Sequence, residues 1–500
     1  MDVQRSVAKK TSKPVSVPVD PVADVGFDKA FAVLRTLVDF EEVEREHPSR
    51  SNAVYTTSVV LWMLVYQRLN PDRSLEAAVK QLIENPPDLL PENVRVTEGT
   101  LSTNTGAYSQ ARTRMPVEAS RRFAERVSQS LIEVTPPSLG ERRVYVFDGS
   151  TFTLAPESEL QKHYPPASNQ YGVGVWPVAL IVVAHELASG AALIPEIGAM
   201  YGEHAVSETA LVHRGMAQMP PDSVAMADSA FGIFTVAYAA HQAGHKHVLR
   251  LTPVRFEAMR RTAKLVSKSE TTTTWELDWR PSVRVRRDHP ELPAEACLKV
   301  RLHAVKIHDG LTLYLVSDLP DSAQTLANLY NRRTDVEIDI RNLKIVLDTE
   351  HIRARSPEMF MKEIMTSQVA YHLVTQFRRQ AAALAKLPPR SLSFKRTWTT
   401  FRTFLLSSMT SDPAHCRQRY RLALHHAQRD KLPNRPDRHY EREVYKKRPK
   451  STHFKTRKPP RDPPEEKVKY VPWGGTPCRS RPEFLLPACC SHPDPIQWRS

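Results

Sequence analysis

The sequence contains no apolar run long enough to cross a lipid bilayer. The longest such run, from Trp176 to Ala184, has about nine residues, roughly half of what a membrane-spanning helix requires. The amino-terminal stretch carries basic residues but lacks the apolar segment of a secretory signal. No basic helix has the amphipathic pattern of a membrane-surface anchor. The sequence therefore predicts a cytoplasmic protein with no membrane partner.

Cysteine is also scarce, and no internal repeat is present. The five cysteines are an odd number, and none forms a CxxC pair with histidines at zinc-finger spacing. This argues against a zinc finger and favours scattered free thiols, as expected in the cytosol. The cysteines are Cys297, Cys416, Cys478, Cys489 and Cys490.

Acidic residues are outnumbered. The chain has 70 lysines and arginines against 55 aspartates and glutamates, a net charge of +15 and a pI near 9.5. A basic surface attracts phosphate backbones and releases their counterions on binding. The charge balance therefore predicts a polyanionic partner, and nucleic acid fits best.

The first third of the chain predicts a flexible arm followed by helices. Residues 1–24 are rich in Pro, Val, Ser and Lys and show no helical periodicity. Residues 25–138 are predominantly helical in pattern, and Ser74 is typical of an N-cap. The arginine-rich segment from Ser102 to Val127 suits DNA contact, although a solvated helical face explains its charge equally well.

From Arg143 the pattern changes to an α/β alternation. VYVFDGS, WPVALIVVAHEL and AALIPEIGAM predict three strands, and SVAMADS and KHVLRL predict two more with helices between them. Residues 139–251 are therefore predicted to form the first part of an α/β core. Arg250, which ends KHVLRL, is equally consistent with a DNA contact and with an ordinary surface position.

The remaining sequence divides into four parts. Residues 252–320 contain three or more strands with charged turns and predict an inserted antiparallel sheet. Helices resume in residues 321–385, the second part of the core, and continue through residues 386–428. Residues 429–500 carry 18 lysines and arginines, 9 aspartates and glutamates and 13 prolines. That composition predicts an irregular basic tail that grips nucleic acid or stays disordered.

Two aspartates end predicted strands. Asp148 precedes Gly149 at the end of VYVFDGS, and Asp228 ends SVAMADS. A carboxylate at a strand end can face a cleft, where it is available for chemistry. Each residue also has an ordinary structural interpretation, as the start of a surface turn for Asp148 and as a helix N-cap for Asp228.

A third carboxylate lies in LYNRRTDVEIDIRNLK. At about 100° per helical residue, Tyr330, Arg333, Glu337 and Lys344 fall within an arc of roughly 60°, with Arg341 beside them. An exposed helix with ion pairs would explain the charges but not the shared stripe. Asp335 and Asp339 are expected near the opposite face, where substitutions should be neutral.

Together, Asp148, Asp228 and Glu337 predict a site for divalent metal ions. Carboxylate oxygens suit Mg²⁺, and Mn²⁺ is expected to substitute. Two such ions activate an attacking hydroxyl and stabilise the leaving oxygen in phosphoryl transfer. Basic groups beside Glu337 would hold the phosphates of the scissile strand.

Four sequence blocks resemble the IS4 family of insertion-sequence transposases, which belong to the DDE class. They are VYVFDGSTFTL with QKHYP, EHAVSETAL with SVAMADSAFG, the pattern Y-x2-R-x3-E-x6-K from Tyr330 to Lys344, and IRARSPEMFMKEIMTSQVAYHLV. GAYSQARTRMP also resembles a subgroup of these enzymes. The similarity covers about residues 55–405. One departure is Trp176, which stands where relatives often have phenylalanine.

The resemblance implies an RNase H-like catalytic core interrupted by a β-rich insertion, with helical N-terminal and C-terminal regions. It implies a DNA transposase that cleaves insertion-sequence ends with Mg²⁺ and joins them to target DNA, with Asp148, Asp228 and Glu337 as catalytic metal ligands. Tyr330, Arg333 and Lys344 are implied to contact phosphates. The expected partners are terminal inverted repeats and target DNA, bound by a dimer at the bacterial nucleoid. A nuclease of the same fold and an inactive DNA-binding descendant are the alternatives.

Overall fold

The computed structural model describes Leu34 and residues 37–70, 72–84, 89–170, 172–308, 311–346, 352–406 and 413–432. The predicted flexible arm, residues 1–24, and most of the predicted basic tail, residues 429–500, lie outside the described residues. No helix within the described ranges has the length and apolar character needed to cross a membrane.

Helices precede the sheet, as the amino-terminal pattern predicts. The predicted N-cap is confirmed, because the hydroxyl of Ser74 accepts a hydrogen bond of 3.1 Å from the Ala77 amide. The apolar helix α2 is buried along almost its whole length. The helices are α1 (Phe40–Glu46), α2 (Thr57–Leu69), α3 (Leu75–Glu84), α4 (Val94–Thr97), α5 (Gly106–Arg114) and α6 (Val117–Glu133).

The strands of the described residues form one ten-stranded sheet. Its order is β2-β3-β1-β5-β6-β10-β9-β8-β7, with β4 paired to β3 outside this path. The pairs β1–β3 and β3–β4 are antiparallel, whereas β1–β5 and β5–β6 are parallel. The strands are β1 (Val144–Thr153), β2 (Pro166–Asn169), β3 (Gly172–Glu186), β4 (Glu196–Ala199), β5 (Val224–Ala227), β6 (Lys246–Arg250), β7 (Lys264–Lys268), β8 (Thr272–Trp279), β9 (Leu298–His308) and β10 (Leu311–Ser317).

The predicted strands of residues 252–320 are present but do not form a sheet of their own. β10 pairs antiparallel with β6, and β9, β8 and β7 continue outward from it, so the core sheet simply extends. The predicted strand AALIPEIGAM is also shorter than expected, because only β4 is regular. Short helices connect the strands: α7 (Ser158–His163), α8 (Glu208–Met216), α9 (Phe234–Gln242), α10 (Pro253–Arg260) and α11 (Val283–Asp288).

Helices follow the sheet and join it to the amino-terminal helices. The central one, α14, has 28 residues, most of them buried, and contacts both α2 and α6. This part comprises α12 (Ala323–Asn331), α13 (Arg333–Arg341), a π-helical turn (Asn342–Val346), α14 (Pro357–Leu384), a 3-10 turn (Pro389–Ser391), α15 (Phe394–Leu406) and α16 (Pro413–Ala427). The chain therefore has a mixed α/β fold built on one large sheet.

Burial of His303 makes stability depend on pH. His303 is a buried residue of β9, its Nδ1 lies 3.1 Å from the hydroxyl of Thr274 on β8, and burial lowers its pKa from 6.5 to about 4. Below pH 6.5 the unfolded chain gains a proton there that the folded chain does not take up until near pH 4. Lowering the pH through this window therefore lowers the free energy of unfolding, by about 2 kcal/mol at about pH 5.

Urea unfolding at about pH 7 and about pH 5 measures this contribution. We expect His303→Gln to lose less stability than the wild type over this interval, by about 2 kcal/mol. The other buried histidines are present in both proteins, so the comparison isolates His303. Equal losses in the two proteins would contradict the prediction.

Candidate active site

The parallel strands of the sheet align three charged residues. Val146 of β1 pairs with Met226 of β5, and Ala227 of β5 pairs with Leu249 of β6. Continuing the first register by two residues places Asp148 beside Asp228. Continuing the second by one residue places Asp228 beside Arg250. Two aspartates and an arginine therefore follow one another across neighbouring strands.

Asp148 lies inside β1 rather than at its end, contrary to the sequence-based prediction. The strand continues to Thr153, and Asp148 pairs with Val183 of β3. The following Gly149 is explained by space and not by a turn, because a Cβ there would lie 2.7 Å from the Glu208 carboxylate. The surface-turn interpretation of Asp148 is therefore wrong.

Asp228 immediately follows β5 and shapes the loop beyond it. Its Oδ1 accepts a hydrogen bond of 2.8 Å from the Ala230 amide. The next helix, α9, begins only at Phe234, and its N-cap is Ile233. Asp228 is therefore not the N-cap of that helix, which removes the structural interpretation considered for it.

The segment that carries Glu337 is not one continuous helix. α12 ends at Asn331, α13 begins at Arg333, and the chain turns π-helical from Asn342. A uniform rotation of 100° per residue therefore does not hold from Tyr330 to Lys344. The predicted continuous stripe is corrected to two short helices and a wider turn.

Even so, this segment places the predicted residues Tyr330, Arg333 and Glu337 next to one another. Arg333 Nη2 donates a hydrogen bond of 2.5 Å to Glu337 Oε1, and its guanidinium lies 6.0 Å from the centre of the Tyr330 ring. Tyr330 is buried and close to Arg250 and Asp228, and burial raises the pKa of its hydroxyl. Arg250 is therefore part of this cluster, which the sequence alone left undecided.

Lys344 reaches β1 from the π-helical turn. Its Nζ donates hydrogen bonds to Ser150 Oγ at 2.7 Å and to Thr151 O at 3.3 Å, and it lies 5.2 Å from the centre of the Phe152 ring. The ammonium group is therefore fixed just beyond Asp148 along the same strand. Arg341, by contrast, is exposed to solvent.

Electrostatics show that the three predicted carboxylates share one environment. Burial raises the pKa of Asp148 to about 6, and the negative charges of Asp228 and Glu337 contribute to the increase. Arg333 and the Gly149 amide oppose it. Three carboxylates therefore lie near one another, and Arg333 and Arg250 offset part of their negative charge.

The donor chemistry of these carboxylates fits a divalent cation, because hard oxygen ligands favour Mg²⁺. Their present arrangement is not a closed metal-binding group. Across the described residues, no three or more His, Cys, Asp or Glu side chains are placed to hold one ion. Glu337 is instead engaged by Arg333, and its side chain is 47% exposed.

The position of Asp339 contradicts the expectation that its substitution is neutral. It does lie away from Glu337, but the face it occupies is the protein interior, and its side chain is fully buried. Arg390 Nη2 lies 2.7 Å from its Oδ2. Substitution of Asp339 is therefore not expected to be neutral.

Gly232 holds the loop after Asp228 against β6. A Cβ at this position would overlap the carbonyl oxygen of Arg250, which is backbone and has little freedom to move. We expect Gly232→Ala to lower the free energy of unfolding by about 1–3 kcal/mol, the usual cost of overpacking. Thermal and urea unfolding would measure the loss. Ala243→Ser, at an exposed position, is the control, and equal stability of the two variants would contradict the prediction.

Comparison with known proteins places this cluster within a recognised domain. Residues 140–373 match the family model of the transposase DDE domain. The matched residues contain Asp148, Asp228 and Glu337, together with all ten strands of the sheet. The DDE-domain match supports a DNA transposase in general.

The chain was also compared with solved structures and with curated proteins. The structure is similar to that of a piggyBac transposase in a synaptic complex with hairpin DNA, with 11% sequence identity and a TM-score of 0.38. The similarity covers 82% of this chain and 86% of the other. A search of curated proteins found no match.

Proposed function

We propose that this protein is a DNA transposase of the IS4 type, which cleaves the ends of an insertion sequence and joins them to target DNA. The observation that carries the proposal is the placement of Asp148 in β1 and of Asp228 directly after its parallel neighbour β5, with the helix that carries Glu337 in contact with β1, inside a region that matches the transposase DDE domain. The strand order β4-β3-β1-β5-β6, with three antiparallel strands followed by two parallel ones, supports an RNase H-like core.

Mg²⁺, or Mn²⁺ in its place, is the proposed cofactor, and Asp148, Asp228 and Glu337 would hold it. When bound, such ions supply activation of the attacking oxygen and stabilisation of the leaving oxygen. Glu337 would have to leave Arg333 to join the two aspartates. Arg333 would then be free to face a phosphate of the DNA.

Basic and polar groups around the carboxylates are proposed to hold the DNA backbone. Arg333 and Lys344 lie close to the carboxylates or to β1, and Arg341 is exposed at the end of α13. The Tyr330 hydroxyl, by contrast, is buried and would have to become accessible to reach a phosphate. A guanidinium binds phosphate oxygens as a fork, whereas an ammonium acts as a point charge. A DNA strand bound here would be oriented by its phosphates, without base recognition.

Incubation of the purified protein with insertion-sequence ends, a target plasmid and Mg²⁺ tests the proposal. We expect cleaved ends and end-to-plasmid joined molecules, formed by a protein that pairs two ends as a dimer. Cleaved products without joined molecules would identify a nuclease of the same fold. Binding without cleavage in Mg²⁺ or Mn²⁺ would identify an inactive DNA-binding protein.

A further inference from the structure

The helix that carries Glu337 is held in place by few contacts. α13 has nine residues, and only Val336 and Asp339 are buried. It begins after a break at Arg332 and leads into the π-helical turn. A helix this short is marginal by itself and depends on tertiary contacts for its position. One of its two buried side chains, that of Asp339, is therefore a carboxylate.

Burial of the Asp339 carboxylate is balanced by two arginines. Arg390 Nη2 lies 2.7 Å from Oδ2, and Arg378 Nη2 lies 4.0 Å from Oδ1. The close contact is an ion pair whose N–H groups are not aligned as a hydrogen bond. A charge at this depth is tolerated only when it is paired.

Arg390 also binds the backbone on both sides of the ion pair. Its Nη1 donates to the carbonyl oxygen of Asp335 on α13 at 3.1 Å, and its Nη2 donates to that of Leu187 after β3 at 3.3 Å. A Cβ on Gly190, in the same loop, would lie 3.3 Å from both Arg390 Nη2 and Asp339 Oδ2. The loop therefore closes tightly over the pair and ties α13 to the sheet.

The pair and the candidate metal ligand lie on opposite faces of α13. Two residues of an α-helix correspond to a rotation of about 200°. Asp339 faces the interior while Glu337 faces outward, where its charge contributes to the environment of Asp148. Whatever fixes Asp339 therefore fixes the rotation and height of Glu337.

We propose that the ion pair of Asp339 and Arg390 positions α13, so that the Glu337 carboxylate is presented to Asp148 and Asp228. Asp339 and Arg390 are positioning residues in this account, since neither faces the carboxylate cluster. The inference rests on the proposed function only for the role of Glu337.

A double-variant comparison separates positioning from simple charge balance. Asp339→Asn leaves Arg378 and Arg390 without their shared carboxylate, and Arg390→Gln leaves Asp339 with only the more distant Arg378, so both should lower thermal stability. The double variant removes one charge of each sign and should recover part of the lost stability, although Arg378 stays buried without Asp339. If the pair positions α13, the double variant should cleave insertion-sequence ends more slowly than the wild type despite its partly recovered stability. The expected loss is roughly 10- to 100-fold, as is usual for residues that orient metal ligands.

Three further readouts identify positioning. The Mn²⁺ concentration for half-maximal cleavage should rise in the double variant, while its affinity for end DNA should stay within about twofold, because that affinity rests on phosphate contacts. Hydrogen exchange of the 333–341 peptide should be faster. Arg390→Lys keeps the charge but not the fork, so its cleavage rate should lie between those of the wild type and the double variant. It also serves as the test if the double variant does not fold.

The matched control is the exposed ion pair of Arg142 and Asp222, which lie 3.1 Å apart. The double variant Arg142→Gln, Asp222→Asn should retain wild-type cleavage and exchange. Wild-type cleavage and unchanged α13 exchange in the Asp339 and Arg390 double variant would overturn the positioning role. If the wild-type protein cleaves no DNA, the proposed function fails, and the exchange of α13 alone decides whether the pair holds the helix.

Discussion

Asp148→Asn, Asp228→Asn and Glu337→Gln are each expected to abolish DNA cleavage, with a loss of roughly 10³-fold or more. The three side chains are proposed to hold the same ions, and residues that act as a unit lose nearly all activity when one is removed. A neutral amide keeps the size of the carboxylate but supplies a weaker metal ligand. Single-turnover cleavage of labelled insertion-sequence ends would measure the loss.

Binding of end DNA should remain close to normal in these three variants. It depends mainly on phosphate contacts from basic groups, which the amides leave in place. Lys344→Ala should behave differently, weakening end binding and reducing its salt dependence by about one unit in the log–log slope. Residual cleavage near the wild-type rate in any carboxylate variant would remove that residue from the proposed metal site.

The strand pattern was the most predictable part of this fold. β5 is a short, continuous apolar run, as buried parallel strands usually are, so its sequence identifies it directly, whereas β6 is apolar only at Val248 and Leu249. The position of Asp148 was not predictable in the same way. Gly149 resembles a turn signal locally, but it is required by Glu208, which packs against β1 from a distant part of the chain.

The pairing of the later strands was also beyond local reasoning. The sequence of residues 252–320 predicts antiparallel strands but contains nothing that specifies their neighbours. Leu315 of β10 pairs with Arg250 of β6, a contact that depends on the whole core being assembled. For this reason the sequence predicted a separate sheet, whereas in the structure these strands extend the core sheet.

Helical phase predicted the faces of α13 but not what covers them. Asp339 was placed correctly away from Glu337, yet its burial depends on Arg390, which belongs to a later turn of the chain. The break at Arg332 has no strong local signal, since neither glycine nor proline marks it. Spacing on an ideal helix therefore found the candidate residues without giving their arrangement.

Among the single substitutions proposed for this protein, Phe377→Ala is expected to cause the largest loss of stability. Phe377 is fully buried on α14, with its ring centre 4.9 Å from that of Phe401 on α15 and 5.6 Å from that of Tyr420 on α16. Truncation removes apolar contacts with both later helices and leaves a cavity. A phenylalanine-to-alanine change in such a core costs about 3–5 kcal/mol.

The matched control is Leu384→Ala on the same helix, because Leu384 is 47% exposed and should lose well under half as much stability. Urea unfolding of both variants would provide the comparison. The consequence for function follows from α14 itself, which carries Arg378 beside Asp339. We therefore expect Phe377→Ala to speed hydrogen exchange in α13 as well as in α15 and α16, whereas Leu384→Ala should leave all three unchanged. A loss of stability confined to α15 and α16 would show that the packing of α14 does not support the helix that carries Glu337.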